Sequence, residues 1–436
     1  MLSGILQLLF NACDLVVVGK FAGDNSLAAV GSTGSITSLL VNLFIGFSVG
    51  ANVAVARSIG RKNKERVHDV VHTAVLFSFL SGLFLTVFGF FTARYLLVKM
   101  NTNLEILDKA TTYLKICLAG SVFNMVYNFG ASIVRATGET KKPLYFLIFS
   151  GIINVLLNLF FVIVLKMDVA GVALATIISQ MISAVLIISY LMKLDGVVRL
   201  NIKDLKIDKS SLNEMILIGL PAGIQNSIFS ISNVSVQTAV NSFNSTAIVA
   251  GNSASNNIGS FIYTSMNSFY QACITFTSQN FGARNIKNCK KSLLYCLLCG
   301  TIVGLVIGGV AVLLGEPLLG LYANGEDAIK YGLIRLTIVG LSYFLCGIAD
   351  VLVGGLRGLG YSIIPMITSI IGICGVRMAW IYTVFERHHT LQVLYVSYRL
   401  SWIITAIIHL ICYIFIYKRI CEKFRRENKM LVGNFY

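Results

Sequence analysis

The chain has 436 residues, of which 56% are hydrophobic and 12% are charged, whereas a soluble globular domain usually has about 25% charged residues. The longest polar stretch runs from Lys193 to Asn213, which is too short to hold a soluble catalytic domain, so we do not expect an enzyme. Open sheet edges would leave unsatisfied backbone groups in lipid. The composition therefore predicts an all-α polytopic membrane protein.

Apolar stretches of about 20 residues, the length that crosses a bilayer as a helix, recur along the whole chain. No cleavable signal peptide is expected, because the first basic residue, Lys20, follows the first apolar stretch instead of preceding it. The stretches predict twelve transmembrane helices near residues 1–18, 35–56, 70–93, 113–134, 143–165, 169–192, 213–239, 254–279, 292–314, 331–353, 361–385 and 391–417.

The basic residues are distributed unevenly over the predicted loops. Alternate loops and the C-terminal tail hold 24 of the 35 Lys and Arg residues, and this bias predicts a multi-pass protein of the cell membrane with both termini in the cytoplasm. The formal net charge of +16 is therefore a topology signal. Nucleic acid is not an expected partner, because the bases are spread over six segments and form no single stripe.

The sequence repeats itself at an offset of 222 residues. Arg135, Gly138 and Pro143 recur as Arg357, Gly360 and Pro365. Six helices separate equivalent points, so the two copies enter the membrane in the same direction, as parallel repeats do. The repeat predicts two six-helix lobes, over residues 1–192 and 213–417, with a cytoplasmic linker at 193–212 and a basic cytoplasmic tail at 418–436. In this register the first helix is expected to lack about nine residues that helix seven has, including the counterpart of Pro221.

An ordered set of short motifs resembles the multidrug and toxic compound extrusion (MATE) transporters, in their bacterial form. The resemblance implies a monomer that expels amphipathic, often cationic small molecules in exchange for Na⁺ or H⁺, with no cofactor beyond the coupling ion. It covers essentially the full length and rests on Asn11-Ala-Cys-Asp14, Leu27-Ala-Ala-Val-Gly31, Gly50 to Gly60, Arg135-Ala-Thr-Gly138, Gly171-Val-Ala-Leu-Ala-Thr176, Gly219-Leu-Pro221-Ala-Gly223 and Arg357-Gly-Leu-Gly360.

Asp14 and Asp350 are the acidic residues that lie well inside predicted helices, where a charged side chain is costly and marks a functional candidate. Asn154 and Asn158 stand four apart on one helical face, at a depth compatible with that of Asp14 and Thr176. Their oxygen atoms are of the type that a small cation or a proton uses. By resemblance, the family's first-lobe cation site maps onto Asp14, Asn154, Asn158 and Thr176, although some relatives have a second acid where this chain has Asn158. The alternative is that these polar groups only join helices.

This cluster is not duplicated in the second lobe, where the 222-residue shift gives Val236, Val376, Trp380 and Tyr398. Asp350 has Asn128 as its counterpart. Similarity to an acid of helix ten in other family members implies a secondary coupling or substrate role for Asp350, and a salt bridge to Arg357 or to a basic residue of a loop is the alternative.

Other charged and polar residues within or near the helices are expected to have structural roles. Arg377 and Arg399 are long enough to reach the membrane surface and anchor their helices. His68 and His72 have metal-ligand spacing, but no further ligand is expected to converge, so we predict an interfacial pair and no metal site. The ten cysteines do not resemble a disulfide framework.

Three functions remain open from the sequence. Secondary multidrug efflux is favoured, because no GxxxxGK[ST] phosphate loop occurs and no loop can hold a nucleotide-binding domain. A lipid-linked oligosaccharide flippase of a related doubled fold is the alternative, and it predicts a strongly basic central cavity. An intramembrane transferase is the third, and its best acid and base group is Arg66, His68 and Asp69 at a helix entrance.

Overall fold

The structure is a computed structural model that describes residues 1–100, 102–323 and 325–433, without the side chains of residues 24, 35 and 428–433. The described residues form helices joined by short connections, and no strand occurs among them. This confirms the predicted all-α fold. The chain divides into two compact units, a first unit of Met1–Ser230 and a second unit of Ile231–Tyr436.

The first unit begins with seven helices. Their bounds are α1 Leu2–Phe21, α2 Asp24–Gly60, α3 Lys64–Lys99, α4 Leu104–Ala119, α5 Ser121–Ala136, α6 Lys141–Leu159 and α7 Asp168–Lys193. A π-helical turn, Phe160–Val164, continues α6. Helix α8, Lys209–Asn241, carries Pro221 in its interior, and the division between the two units falls within it. The boundary predicted at the 193–212 linker stays a prediction.

The second unit continues with eight further helices, several of them interrupted. Three π-helical segments, Leu336–Gly340, Ile370–Gly375 and Ile381–Phe385, connect consecutive helical pieces. The helices are α9 Thr246–Gly282, α10 Ile286–Leu313, α11 Gly315–Gly320, α12 Glu326–Arg335, α13 Tyr343–Gly358, α14 Ile363–Ser369, α15 Val376–Trp380 and α16 Leu391–Gly433.

Ten helical segments among the described residues are long and apolar enough to cross a membrane, counting α12 to α13 and α14 to α15 as one segment each. Helices α4 and α5 pass the same test together and are bent by 41° at Gly120. Helix α9 has 37 residues but is richer in Ser and Asn. With α9, which does not pass this test, these segments correspond in position to the twelve helices predicted from the sequence.

The 222-residue repeat holds in the helix boundaries and in the backbone. Helices α2 and α9 begin and end at equivalent residues, and so do α5 and α13. Gly138 and Gly360 both have positive φ, at 93° and 95°, as do Lys62 and Arg284, at 55° and 57°. A positive φ is strained for a side-chain-bearing residue, so its recurrence at equivalent turns shows that the two copies share one backbone design.

Helix α2 begins 11 residues earlier than the predicted span at residue 35. The early part of this helix contains Ser, Thr and Gly, which lowered the apparent hydropathy. Ser32 and Thr33 donate their hydroxyls to carbonyls three residues back, Ala29 O at 2.8 Å and Val30 O at 2.7 Å. These side chains are satisfied within the helix itself, so the polar composition does not end it.

The segment between α7 and α8 packs onto the start of α3. Val198 and Leu200 are buried in the first unit's core. The backbone N–H of Asn201 donates to His72 Nε2 at 3.0 Å, and the backbone N–H of Asp208 donates to Thr73 Oγ1 at 2.9 Å. The predicted linker is therefore part of the first unit's folded structure.

Helices α2 and α8 approach so closely that only glycine fits at the contact. A Cβ on Gly46 would lie 2.3 Å from Gly223 N, and one on Gly50 would lie 2.1 Å from Met215 O. The glycines of each helix are four residues apart, the spacing that brings helix backbones together in membranes. The Gly219 to Gly223 motif is thus explained by packing.

Candidate functional site

The four predicted residues of the first lobe come together in the structure. Asn158 donates through Nδ2 to the Asp14 carboxylate and to Asn154 Oδ1, the latter at 3.3 Å. The Thr176 hydroxyl donates a hydrogen bond to Asp14 Oδ2, with 3.4 Å between the two oxygen atoms. Three helices, α1, α6 and α7, thus supply one polar cluster.

Helix geometry explains how the cluster is held. Asn154 and Asn158 are one turn apart on α6, and both are buried, at 4% and 0% exposure. Helix α1 packs against both α6 and α7, which brings Asp14 to the two amides and to Thr176. The Thr176 hydroxyl is also 3.0 Å from the carbonyl of Val172 in its own helix, so a second acceptor fixes its position.

Among the described residues, the cluster has one amide oxygen without a hydrogen-bond donor and a carboxylate without a basic partner. Asn158 Oδ1 is buried and accepts no hydrogen bond from the described residues. Asp14 is half-buried, and no Lys or Arg among the described residues forms an ion pair with it within 4 Å, whereas Asp168 at the start of α7 pairs with Lys109 at 2.6 Å. A carboxylate and amide oxygens without a cationic partner are suited to hold a small cation or a proton.

Two residues beside Asp14 were missed by the sequence reasoning. Tyr113 and Cys117 on α4 lie near each other and near the Asp14 charge. Their spacing of four residues within an apolar helix was the available signal, because it puts both side chains on one face. Apolar packing remains compatible with that spacing, so the sequence could not single them out.

Asp350 belongs to the second unit and lies in a different environment. It is half-buried on α13, with the Tyr263 hydroxyl and the Arg357 charge near it. Arg357 in turn donates to the Tyr270 hydroxyl. Asp350 is thus surrounded by groups from α9 and α13, and the structure does not bring it into the Asp14 cluster.

The positions equivalent to the cluster carry different chemistry in the second unit. Tyr398, the counterpart of Thr176, has the Arg377 guanidinium 4.2 Å from its ring centre. Arg377 is 4% exposed, so the prediction that it reaches the membrane surface as an anchor is wrong. Arg399 donates to the Ile338 carbonyl at 2.9 Å, one of the carbonyls in the π-helical segment between α12 and α13.

The His68 and His72 pair gains a neighbour that the sequence did not predict. Asp204 Oδ2 lies 3.6 Å from His68 Nε2, and the three side chains form the one group with metal-ligand proximity among the described residues. Both ring nitrogens of His72 are engaged, Nδ1 with His68 O at 2.7 Å and Nε2 with the Asn201 N–H. The expectation that no further ligand converges is wrong, but His72 acts as a structural contact between α3 and the following segment.

Comparison with known proteins places the chain in a family. A family model described as MatE matches residues 1–160 and 221–383. The chain is 28% identical to a protein of Bacillus subtilis named "Probable multidrug resistance protein YoeA", over 96% of this chain and 92% of that protein. It is 26% identical to "Probable multidrug resistance protein NorM" of Thermotoga maritima, over 86% of this chain and 81% of that protein.

Solved structures share the fold. One, described as the outward-facing conformation of a multidrug resistance MATE family transporter of the MOP superfamily, matches with a TM-score of 0.90. It is 21% identical in sequence and covers 97% of this chain and 94% of its own. The agreement over nearly the full length supports the two-lobe, doubled arrangement of helices.

Proposed function

Because the chain belongs to the MatE family of membrane transporters, we propose that it exports amphipathic, often cationic small molecules in exchange for Na⁺ or H⁺. Multidrug efflux follows from the family and from the names of its relatives. The exchange of the exported compound for an ion is a separate part of the proposal, and the first unit's polar cluster supports it. We regard the protein as a transporter without enzymatic activity.

The observation that carries the ion coupling is the convergence of Asp14, Asn158 and Thr176 from three helices. Helices move relative to each other during alternating access, so a site shared by three of them can change its affinity between two states. An ion bound between them would favour the state in which their oxygen atoms are closest. This links ion binding to the helix arrangement without any covalent step.

Asp14 has the central role in this proposal. Its carboxylate supplies the negative charge that a cation or a proton neutralises, while Asn154, Asn158 and Thr176 supply neutral oxygen atoms. The Asn158 Nδ2 group donates to the Asp14 carboxylate. Turning the amide would offer the unused Oδ1 to a cation instead, so one side chain serves both the ion-free and the ion-bound state.

Asp350 is proposed as a secondary group for coupling or for substrate. It lies in the second unit, next to the Tyr263 hydroxyl and near Arg357. A negative charge there can attract a cationic compound, and the nearby ring offers an apolar surface for it. The role is separate from that of Asp14, because the two carboxylates belong to different compact units.

The protein is proposed to act as a monomer in the plasma membrane, with both termini in the cytoplasm. The support is the bias of 24 of the 35 Lys and Arg residues to one set of alternate loops and the tail. Fusing a reporter that is active only in the cytoplasm to the C-terminus tests this orientation. An inactive reporter in a fusion protein of normal membrane abundance would contradict it.

Inverted membrane vesicles test the transport itself. We expect vesicles that carry the protein to dissipate an imposed proton or Na⁺ gradient when a cationic dye is added. Vesicles with Asp14→Asn at equal abundance, and vesicles without the protein, are the controls. Dye transport with no change in either gradient would contradict the exchange for Na⁺ or H⁺. It would mean that another driving force powers the efflux.

A further inference from the structure

Two arginines are buried in the second unit without an acidic partner. Arg335 ends α12 and Arg377 lies on α15, and they are 3% and 4% exposed. Among the described residues, neither has a carboxylate oxygen within 4 Å, whereas Arg284 in the same unit pairs with Glu427. A guanidinium stays charged in a protein, and a buried charge without a counter-charge is strongly unfavourable.

Both guanidinium groups lie near the same aromatic ring. The Cζ atom of Arg377 is 4.2 Å from the centre of the Tyr398 ring, and that of Arg335 is 5.8 Å from the same ring. Trp402 lies 5.6 Å from Arg377 and packs against Tyr343. Ring faces attract cations, but this attraction is small compared with the cost of burying a full charge. The rings alone therefore do not balance two guanidinium groups.

The hydrogen bonds of Arg335 leave part of its donor set unused. Arg335 donates through Nη1 to Ser255 Oγ at 3.3 Å and through Nη2 to Asn256 Oδ1 at 3.0 Å. Its Nε is buried and has no acceptor among the described residues. Asn256 is exposed, so a polar side chain leads from the surface of the unit to the buried guanidinium.

In the internal repeat, this positive cluster occupies positions equivalent to those around a negative group in the first unit. Arg335 is the counterpart of Tyr113, which lies beside Asp14, and Tyr398 is the counterpart of Thr176. The same location in the doubled scaffold thus carries a carboxylate in the first unit and two guanidinium groups in the second. Anchoring to lipid headgroups does not explain this, because both guanidinium groups point into the unit and not to its surface.

We propose that Arg335, Arg377, Tyr398 and Trp402 form a binding site for a singly charged anion. The planar N–H groups of a guanidinium match a carboxylate, and the rings of Tyr398 and Trp402 suit an aromatic body attached to it. An inorganic halide carries the same single negative charge, so it is the alternative ligand for this site. The site is independent of the proposed cation exchange, since it uses other residues in the other unit.

The chain contains its own reporter for this site. It has two tryptophans, Trp380 and Trp402, and Trp380 donates to the Val393 carbonyl at 2.9 Å, outside the proposed site. A Trp380→Phe variant of the full chain leaves Trp402 as the single tryptophan. Benzoate, its neutral isostere benzamide, and chloride are then titrated into the purified protein at constant ionic strength, with Trp402 emission as the readout.

We expect benzoate to change the Trp402 emission saturably, and benzamide to bind at least about tenfold more weakly. Arg377→Gln in the same background should weaken benzoate binding at least about tenfold. Arg387→Gln, which removes an exposed arginine of the same unit, should leave it unchanged. Chloride that produces the change and displaces benzoate would identify a halide site, and benzoate binding insensitive to chloride would identify an organic carboxylate site.

Equal responses to benzoate and benzamide would overturn the proposal, and so would the absence of a saturable response to both benzoate and chloride. If Arg377→Gln does not fold, the Trp380→Phe protein still decides the matter. A ligand that binds the folded state raises its Tm, so benzoate should raise the Tm more than benzamide at equal concentration. Equal effects of the two on the Tm would contradict an anion site.

Discussion

Asn158 and Asp14 lie 144 residues apart in the chain, and the Nδ2 group of Asn158 donates a hydrogen bond to the Asp14 carboxylate. Asn158 is fully buried on α6, and its hydrogen bond connects the Asp14 carboxylate of α1 to that helix. Under the proposed exchange, an ion that takes the place of this hydrogen bond acts directly on the contact between α1 and α6. We therefore expect the coupling between the ion and the helix arrangement to depend on this pair.

Asp14→Asn should abolish ion-coupled efflux while the protein still inserts into the membrane. The substitution keeps the shape of the side chain but removes the charge that a cation or proton neutralises. Resistance of cells to cationic drugs, measured at equal membrane abundance, checks this. Asp108→Asn is the matched control, because Asp108 is exposed and pairs with Arg94 on the surface. Normal resistance with Asp14→Asn would remove Asp14 from the mechanism.

Raising external Na⁺ should release a proton from the protein or slow its proton-coupled transport, if Asp14 takes up the two ions in turn. A bound cation disfavours the protonated carboxyl, and a proton disfavours the cation. A pH-sensitive dye inside vesicles measures the proton flux over a series of Na⁺ concentrations. Transport rates that are indifferent to both ions would exclude Asp14 and favour the lipid-linked oligosaccharide flippase.

Thr176→Val should weaken the affinity for the coupling ion by roughly two- to tenfold. The hydroxyl lies 3.4 Å from Asp14 Oδ2, and valine replaces its oxygen with a methyl group. The ion concentration for half-maximal transport measures the effect. Thr111→Val is the control, since Thr111 also donates to a carbonyl four residues back, at 2.7 Å. Equal effects of the two substitutions would indicate a purely structural role for Thr176.

Gly46→Ala should destabilise the protein by about 1–3 kcal/mol, the usual cost of forcing extra volume into a packed contact. The added Cβ would lie 2.3 Å from Gly223 N, a backbone atom that cannot move aside alone. Gly34→Ala on the same helix has open space around it and should be neutral or slightly stabilising. The Tm of the detergent-solubilised variants checks both. A similar Tm for both would show that α2 and α8 separate readily.

Asp208→Ala should cost about 1 kcal/mol at neutral pH, as the loss of a helix cap does. Ser211 donates to Asp208 from its hydroxyl at 2.6 Å and its N–H at 2.7 Å. These bonds, helped by Arg66, hold the pKa of Asp208 below its usual range. The depressed pKa means that the stabilisation is present at neutral pH and is lost as the carboxylate is protonated below about pH 4.

The Tm of Asp208→Ala and of the unmodified protein should therefore differ at neutral pH and converge as the pH falls below about 4. Asp195→Ala is the control, because Asp195 lies in the same segment and is exposed. A difference in Tm that does not change with pH would mean that Asp208 acts through packing and not through its charge.

The sequence alone was enough to predict the helices and their repeat. Apolar length and the placement of Gly, Pro and charged residues are local properties, so they locate each helix and set the 222-residue register. That register is visible in the matching bounds of α2 and α9. The candidate residues Asp14, Asn154, Asn158 and Thr176 could be selected too, because a polar side chain within an apolar helix is conspicuous.

The tertiary structure decided which faces of these helices meet. Lipid is as apolar as the interior of the bundle, so the apolar residues of a membrane helix do not reveal which side faces protein. The sequence therefore could not predict that Arg377 lies inside the second unit or that Gly46 packs against Gly223. It also could not predict that both ring nitrogens of His72 have hydrogen-bond partners. Only the packing of α1 on α6 and α7 joins Asp14 to Asn158 and Thr176, because the rotation of each helix about its axis is set by its neighbours.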